Sequence, residues 1–340
     1  MRDTASLGRT RAMLVTALGD EIVAALEDPS VVEIMINPDG RLWVERHGSG
    51  RTETGLMPTA DTERVIRLVA SHMGRRADAA SPIVSAELPM GGERFEGVLP
   101  PVSPGPCFSI RKPAGRVISL DTYVSSGVMA AHHAEALRRA VLERENILVV
   151  GGTGSGKTTL ANALLAEIAR TGDRLVILED TRELVSAAVD SVQLRTQPGS
   201  VSLADLVRST LRLRPDRIII GEVRGAEALD MLKAWNTGHP GGIATLHANS
   251  ALGGLSRLEQ LIGETSAQVP HDLIAETIDC VVYISRRAGR HRVETVARLN
   301  GLGRGGYDLT PVQPDLQLVL PSLPFSEPLL SIAPERTPPQ

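Results

Sequence analysis

The apolar residues at the start of the chain are spaced as in helices. Between residues 11 and 27 an apolar side chain recurs at every fourth position, namely Leu14, Leu18, Ile22 and Leu26. This spacing predicts a helix with one buried face. The stretch "DTERVIRLVASHMGRR" (61–76) predicts a second helix, with Asp61 as its N-cap.

Strand-like runs surround these two helices. "VVEIMI" and "RLWVER" flank the turn sequence "NPDG", which predicts a β-hairpin. "PIVSAEL" and "RFEGVLP" predict a second hairpin, and "CFSIRKP" a further strand. The pattern therefore predicts a small α+β domain over residues 1–113.

Beyond this domain the pattern changes twice. Residues 114–135 are rich in loop and turn residues and predict a linker. Over residues 136–302, helical patterns alternate with short apolar strands: "NILVV", "RLVILE", "SVQLRT", "RIIIGE", "GIATLHA" and "CVVYIS". This alternation is typical of an α/β fold with a parallel sheet and helices on both faces.

The end of the chain has a different composition. Proline takes eight of the last 40 positions, and no lasting period of apolar residues is present. Residues 303–340 therefore predict a mostly disordered tail, and "LQLVLPSLPF" within it is a candidate docking segment.

Composition narrows the class of protein. The 340 residues are 42% hydrophobic and carry a net charge of −4, which argues against a general nucleic-acid binder. Cys107 and Cys280 form no CxxC motif, so a zinc knuckle or disulfide framework is not indicated and a reducing cytoplasm is expected. No run approaches ~18 apolar residues, so any membrane contact is expected at the surface.

A phosphate-binding motif lies between an apolar strand and a helix. Gly151 and Gly156 are spaced as in the P-loop, followed by Lys157 and Thr158. The glycines let backbone N–H groups surround the β-phosphate, the lysine reaches the β- and γ-phosphates, and the Thr158 hydroxyl ligates Mg²⁺. The remaining predicted nucleotide-binding residues of this loop are Gly152, Thr153, Gly154, Ser155 and Thr159.

Acidic residues follow two other predicted strands. "RLVILEDTREL" ends in Glu179, Asp180 and Glu183, and "RIIIGE" ends in Glu222. Because ligands bind at the carboxyl ends of parallel strands, these acids are expected to face the phosphates. Many P-loop nucleotidases carry a metal-binding Asp at the end of the strand that corresponds to "RIIIGE", and this chain has Gly221 at that position.

Histidines and arginines complete the set of candidates. "TGHPGGIATLHANS" contains His239 in a glycine-rich loop and His247 at the end of a strand. Spacing alone leaves open whether these histidines are structural. Arg212 and Arg214 in "STLRLRPDR" are, on spacing alone, a solvated helix end.

Four stretches resemble a known family. "GGTGSGKTT", "LEDTREL", "LRLRPDRIIIGEVRG" and "TGHPGGIATLHANS" look like the four signature boxes of the secretion ATPases, which include type IV secretion, type II secretion and type IV pilus motors. Within them, "SPIVSAELPMGGERFEGVLPPVSPGPCFSIRKP" resembles the N-terminal domain of the conjugal-transfer (TrbB-type) ATPases. The resemblance covers about residues 10–300 and implies a RecA-like ATPase domain preceded by a PAS-like domain.

The resemblance also implies roles for single residues. In this family the strand characteristically ends in Gly-Glu, so Glu222 would orient or deprotonate the attacking water, with Glu183 as the second candidate. Glu179 and Asp180 would support the metal. The resemblance also implies that His239 and His247 contact the γ-phosphate. Positive charge would reach the nucleotide from Arg94, Arg111 and Arg212, either across the domain junction or from a neighbouring subunit.

The implied protein is an ATP hydrolase that uses Mg²⁺ and forms a homo-hexamer on the cytoplasmic face of the inner membrane. It would power assembly of, or transport through, a conjugative type IV secretion apparatus, with the inner-membrane components of that apparatus as partners and without direct nucleic-acid binding. The alternatives are a pilus or type II secretion motor, a nucleotide-locked scaffold and a DNA-pumping translocase. The sequence lacks a zinc-binding cysteine quartet, NKxD and LSGGQ, which argues against type II motors, GTPases and ABC-type ATPases respectively.

Overall fold

The computed structural model describes residues 4–46, 48–113, 117–197 and 199–314. Within the described residues up to 113, two helices and six strands form: α1 (Thr4–Glu27), β1 (Val31–Ile36), β2 (Arg41–Arg46), β3 (Gly50–Leu56), α2 (Thr59–His72), β4 (Ile83–Glu87), β5 (Arg94–Val98) and β6 (Cys107–Arg111).

The N-terminal strands form one antiparallel sheet in the order β3-β2-β1-β6-β5-β4. Helices α1 and α2 contact each other and the sheet, and one core contains Leu14, Ile22, Ile34, Phe95 and Ile110. Alternate strand residues point into this core, as the period of two requires. Helix α2 and both predicted hairpins are confirmed. The predicted helix over 11–27 is helical on both sides of a kink at Gly19, whose φ of 77° and ψ of 164° are not helical.

Two local features differ from the prediction. Helix α2 starts at Thr59 with Pro58 in the N-cap position, so Asp61 lies in the first turn and makes no capping bond. Its negative charge still favours the helix N-terminus. Strand β3, "GRTETGL", was not predicted, because its residues are mostly polar and exposed and it lies at the sheet edge.

The predicted linker is largely part of the second domain. Residues 117–135 contain helix α3 (Leu120–Ser125) and the start of helix α4 (Ala131–Leu142). Leu120 and Tyr123 are buried in the core of the following domain. The turn-forming residues predicted a loop, whereas these two apolar side chains anchor a helix. Residues 114–116 lie outside the described part of the chain.

The second domain continues with helices and strands in alternation. After α4 its elements are β7 (Ile147–Gly151), α5 (Lys157–Ile168), β8 (Leu175–Glu179), β9 (Ser191–Arg195), α6 (Leu203–Thr210), β10 (Arg217–Ile220), α7 (Glu227–Asn236), β11 (Ile243–His247), α8 (Ala251–Gly263), α9 (His271–Thr277), β12 (Cys280–Arg287), β13 (Arg290–Gly303) and β14 (Gly306–Pro311).

These strands form one mixed sheet in the order β14-β13-β12-β7-β11-β10-β8-β9. From β12 to β9 every neighbouring pair is parallel, and β13 and β14 add antiparallel pairs at one edge. One core on each face packs helices against the sheet. The predicted parallel sheet with helices on both faces is thus confirmed, with an antiparallel extension that was not predicted.

The predicted end of the domain at residue 302 is too early. Strand β13 runs to Gly303, and β14 pairs with it through Pro311. The alternation in these two strands is masked by glycines and polar residues, which also led the tail to be predicted from residue 303. Residues 315–340, including the candidate docking segment, lie outside the described residues. Among the described helices, none is both long and apolar enough to cross a membrane.

Candidate nucleotide-binding site

A cavity of about 260 Å³ lies at the carboxyl ends of β7, β8, β10 and β11. The parallel register brings these ends to one edge of the sheet, as expected for an α/β fold. The walls of the cavity also include Arg94 and Arg111 from the N-terminal domain. The lining residues are Arg94, Arg111, Thr153, Gly154, Ser155, Gly156, Lys157, Thr158, Thr159, Glu179, Asp180, Thr181, Glu183, Gly221, Glu222, Arg224, Thr245 and His247.

The phosphate loop (residues 151–158) joins β7 to α5. Gly154 and Gly156 have φ of 67° and 98°, values that side chains rarely adopt, and they let the loop wrap above the helix N-terminus. A Cβ on Gly151 would collide with the Ile284 carbonyl oxygen and the Ser155 hydroxyl. The loop therefore needs glycine at these positions, and its N–H groups and helix dipole suit an anion.

Lys157 is held at the centre of the loop. Its Nζ donates to the carbonyl oxygens of Gly151 at 3.1 Å and Gly152 at 3.0 Å, and lies 3.3 Å from His247 Nδ1. Burial lowers the pKa of Lys157, and the Glu222 carboxylate opposes that shift. The ammonium group is therefore positioned against the phosphate loop by contacts that an incoming phosphate can replace.

The acids after β8 have different partners. Glu179 is 2% exposed, and its Oε1 accepts the backbone N–H groups of Glu183 at 2.9 Å and Leu184 at 2.8 Å. Burial raises the pKa of Glu179 to about 7. Asp180 accepts the Thr196 hydroxyl at 3.0 Å. Glu179 thus fixes the path of the loop that carries Glu183.

Glu183 is the acid that contacts the phosphate loop directly. Its Oε2 accepts the Thr158 hydroxyl at 3.2 Å, and its Oε1 lies 3.4 Å from Arg94 Nη1. Asn162 of α5 supports this position, because its Oδ1 accepts the Val185 N–H at 2.8 Å and its Nδ2 donates to the Glu183 carbonyl oxygen at 3.3 Å. Sequence reasoning missed Asn162, although a buried polar residue within an apolar helix was a usable signal.

The oxygen donors near Thr158 fit Mg²⁺. Among the described residues no group of three acidic, histidine or cysteine side chains forms a metal cage. Mg²⁺ usually keeps several waters and binds one or two protein oxygens together with substrate phosphates, so it does not need such a cage. Thr158 and Glu183 are in place for this. Of the predicted metal-binding acids, Glu179 is engaged with the backbone and Asp180 with Thr196.

The structure explains the glycine at position 221. A Cβ built on Gly221 would lie 2.9 Å from Glu179 Cγ, closer than carbon atoms pack. Gly221 also donates its N–H to the Leu178 carbonyl oxygen, which places it beside the end of β8. The space that a metal-binding aspartate would need at this strand end is therefore occupied by the buried side chain of Glu179.

Glu222 lies between a histidine and an arginine. Its Oε2 accepts hydrogen bonds from Arg224 Nε, at 2.7 Å, and from Arg224 Nη2. Its Oε1 lies 2.5 Å from His247 Nε2 but is buried and accepts no hydrogen bond from the described residues. Burial lowers the pKa of His247, and Lys157 adds to the shift. Arg224 was not among the predicted site residues, although it lies two residues after Glu222 in the same signature box.

The predicted arginines and histidines divide into two groups. Arg94 and Arg111 are register partners on β5 and β6 and both line the cavity, as His247 does. Arg212 is exposed and precedes β10, whereas His239 precedes β11 and contacts the Pro215 carbonyl oxygen at 2.9 Å. Both therefore lie at the amino edge of the sheet.

Strand β11 has five residues, so about 13 Å separates the Cα atoms of its first and last residues. Arg212 and His239 thus lie outside the cavity of their own chain, and their predicted contact with a nucleotide stays a prediction. A sequence box does not reveal at which end of a strand its residues lie.

Sequence comparisons with known proteins identify the family. The model of the family "Type II/IV secretion system protein" matches residues 16–299. The conjugal transfer protein TrbB of Rhizobium radiobacter is 53% identical over 296 residues, which cover 86% of this chain and 91% of that protein. The type IV secretion system protein PtlH of Bordetella pertussis is 37% identical over 316 residues, covering 82% of this chain and 93% of that protein.

Among solved structures, the Legionella pneumophila ATPase DotB superposes with a TM-score of 0.59 at 20% identity, covering 80% of this chain and 78% of that one. This likeness concerns the fold. The extent of the family match and the identity to the curated relatives confirm the predicted family. The chain belongs to the type II/IV secretion system protein family.

Proposed function

We propose that the chain hydrolyses ATP and thereby powers assembly of, or transport through, a conjugative type IV secretion apparatus. The observation that carries the hydrolysis is the meeting of Lys157, the Thr158–Glu183 pair and Glu222 at one edge of the sheet. The TrbB relative, with 53% identity, supports conjugal transfer over the pilus-motor alternative.

The residues have separate tasks in this proposal. Lys157 and the phosphate-loop N–H groups hold the β- and γ-phosphates, and Arg94 and Arg111 add positive charge where the transferring phosphoryl group gains negative charge. Bound Mg²⁺ would neutralise phosphate charge, with Thr158 and Glu183 as the chain's contributions to its shell. Glu222 orients the attacking water and accepts its proton as the new P–O bond forms and ADP leaves.

The fold supports two finer assignments. The parallel strands β7, β8, β10 and β11 with the phosphate loop support a RecA-like core. The antiparallel sheet with helices α1 and α2 supports a PAS-like N-terminal domain, the finer assignment that the family resemblance implies.

A homo-hexamer on the cytoplasmic face of the inner membrane, with the inner-membrane components of the secretion apparatus as partners, follows from the same resemblance. In such a ring, Arg212 and His239 would reach a nucleotide only in a neighbouring subunit, since both lie at the amino edge of their own sheet.

A nucleotide-locked scaffold is the alternative from a different class. It needs a phosphate loop but no acid placed beside it, whereas Glu222 has one buried carboxylate oxygen facing the cavity region next to Lys157 and His247. That placement favours hydrolysis.

Phosphate release from ATP by the purified chain, compared with Lys157→Ala, tests the proposal. The substitution removes the phosphate-loop charge, and we expect turnover to fall to background. The control is Arg208→Ala, which removes an exposed arginine that does not line the cavity and should leave turnover unchanged. Equal rates in wild type and Lys157→Ala would place any hydrolysis elsewhere.

Complementation separates the two transport roles. In a host whose conjugation requires this gene, plasmid transfer should be restored by the wild type and not by Lys157→Ala. Restored pilus retraction without plasmid transfer would instead favour the pilus motor.

A further inference from the structure

Arg224 lies between Glu222 and Asp180, two acids that line the cavity. Its Nε and Nη2 donate to Glu222 Oε2, and its Nη1 lies 3.8 Å from Asp180 Oδ2. The acids come from the ends of β10 and β8, and Arg224 lines the same cavity as Lys157. The guanidinium group therefore lies in the wall of the cavity that also contains the phosphate loop.

The contact with Arg224 keeps Glu222 from acting on water. Two donors of the guanidinium group point at Oε2, and His247 Nε2 lies 2.5 Å from Oε1. The two Arg224 donors occupy Oε2, and Oε1 is buried beside the His247 ring without surface that water can reach, so neither carboxylate oxygen is open to a water molecule in this arrangement. Proton transfer to Glu222 therefore requires that Arg224 first moves away.

The Arg224–Glu222 contact can be exchanged at low cost. The Arg224 side chain is 48% exposed, and ion pairs that solvent reaches contribute little to stability. Guanidinium groups bind phosphate through two parallel hydrogen bonds, and a γ-phosphate carries more negative charge than one carboxylate. Arg224 also acts electrostatically on the phosphate loop. The pKa of Lys157 is lowered by burial first, and Arg111 and Arg224 lower it further, whereas the Glu222 carboxylate raises it.

We propose that Arg224 senses the γ-phosphate. It donates to Glu222 when the cavity holds no nucleotide, and its side chain moves to donate to the terminal phosphate when ATP binds. This movement frees Glu222 to accept the proton of the attacking water. This inference rests on the proposed ATP hydrolysis. ADP has no γ-phosphate, so it leaves the Arg224–Glu222 pair intact and the cavity inactive.

Nucleotide binding tests the contact independently of turnover. We expect Arg224→Gln to weaken binding of a non-hydrolysable ATP analogue with an imido β–γ bridge by about tenfold or more, because a charged hydrogen bond to the γ-phosphate is lost. ADP affinity should stay within about twofold, since the β-phosphate contacts are unchanged. Titration calorimetry with Mg²⁺ present measures both. Arg208→Gln, an exposed ion-paired arginine outside the cavity, is the matched control and should change neither affinity.

Turnover gives the second readout. Arg224→Gln should lower kcat, and Arg224→Lys should restore part of the preference for the ATP analogue because it retains the charge without the paired donors. A fall in kcat with an unchanged ratio of ATP-analogue to ADP affinity would show that Arg224 only supports Glu222, and the inference would be wrong. A wild-type chain that binds no nucleotide would instead refute the proposed function.

Discussion

The two edges of the C-terminal sheet both hold charged side chains out of water, but in different ways. At the amino edge, Arg217 is 1% exposed and donates to Asp173 at 2.6 Å and to the Val141 carbonyl oxygen at 2.9 Å, and Arg144 pairs with the same carboxylate. At the carboxyl edge, Glu179 is equally buried, yet its hydrogen bonds come from backbone N–H groups.

The pKa shifts of the two acids express this difference. Burial alone would raise the pKa of Asp173, but the Thr171 hydroxyl and Arg217 outweigh it, and the pKa lies below its ordinary value. For Glu179 burial dominates, and the pKa rises to about 7. The amino edge therefore satisfies its charges within the chain, whereas the carboxyl edge keeps charge that is incompletely compensated, as expected of a site that binds a charged substrate.

The largest expected effect is on catalysis at the carboxyl edge. Glu222→Gln retains the size of the side chain and its hydrogen-bonding ability but cannot take up the water proton. We expect turnover to fall by ~10²–10⁴ while ATP binding is retained. Phosphate release and nucleotide titration on the same preparation measure the two quantities, and an unchanged kcat would pass the role to Glu183.

The matching change at the amino edge should affect stability and spare catalysis. Arg217→Met leaves the Asp173 carboxylate with Arg144 as its remaining cation, and breaking a buried pair costs about 3 kcal/mol of unfolding free energy. Denaturant unfolding can be followed by Trp235, which is buried in the same domain, in a Trp43→Phe background.

Turnover per folded molecule should stay unchanged in Arg217→Met. Arg208→Met, which breaks an exposed pair, is the control and should cost no more than about 1 kcal/mol. A loss of kcat without a loss of stability in Arg217→Met would contradict the division of tasks between the edges.

The two edges should also respond differently to pH. The pKa of Glu179 is about 7 in the folded chain and near 4.5 in the unfolded one, so the folded state binds this proton more tightly. The contribution of Glu179 to stability is therefore greatest below pH 4.5 and is lost as pH rises through 7, by at most about 3 kcal/mol. Glu179→Gln, which stays neutral and can accept both N–H groups, should gain stability relative to wild type between pH 5 and 8.

Asp173→Asn provides the comparison for this pH series. The pKa of Asp173 is lowered below 3.8, so its carboxylate is ionised in both folded and unfolded chains above pH 5. The difference in Tm between Asp173→Asn and wild type should therefore be constant from pH 5 to 8, in nucleotide-free buffer. A parallel, flat profile for Glu179→Gln would show that Glu179 is already charged at neutral pH.

The sequence indicates which residues meet at the carboxyl edge, but it does not indicate which ones lie at the amino edge. The phosphate loop, the acids and His247 all follow strands, and parallel pairing fixes where strand ends meet. Arg212 and His239 precede strands, and the boxes that contain them carry no sign of that polarity. Arg224 and Asn162 were missed because their roles depend on contacts across the fold, with Glu222 and with the backbone at Val185.

The same distinction holds for the strands, because the sequence pattern reveals buried strands more readily than strands at the edge of a sheet. Buried strands with continuous apolar runs, such as β7 and β8, were predicted because both faces are covered. Strands β3 and β14 lie at sheet edges, and their side chains are mostly polar or exposed. Their pairing is determined by neighbouring strands rather than by their own pattern, and a single sequence does not show it.

The smallest expected effect concerns the fit between the two acidic strands at the carboxyl edge. Gly221→Ala places a Cβ 2.9 Å from Glu179 Cγ, and overpacking of this kind costs about 1–3 kcal/mol. The displaced Glu179 would also move the N–H groups that it holds at Glu183 and Leu184, so turnover should fall along with stability. Gly305→Ala, where a Cβ meets open space, is the control and should change neither.

A double-mutant cycle identifies the cause of the Gly221→Ala effect. If the collision with Glu179 is responsible, Glu179→Ala removes the Cγ, and the double variant should be more stable than the sum of the two single losses predicts. Strictly additive losses would mean that Gly221 is required for another reason, such as its backbone at the end of β10. In the coupled case, glycine at 221 and glutamate at 179 form one unit, which explains why the acid of this strand comes one residue later, at Glu222.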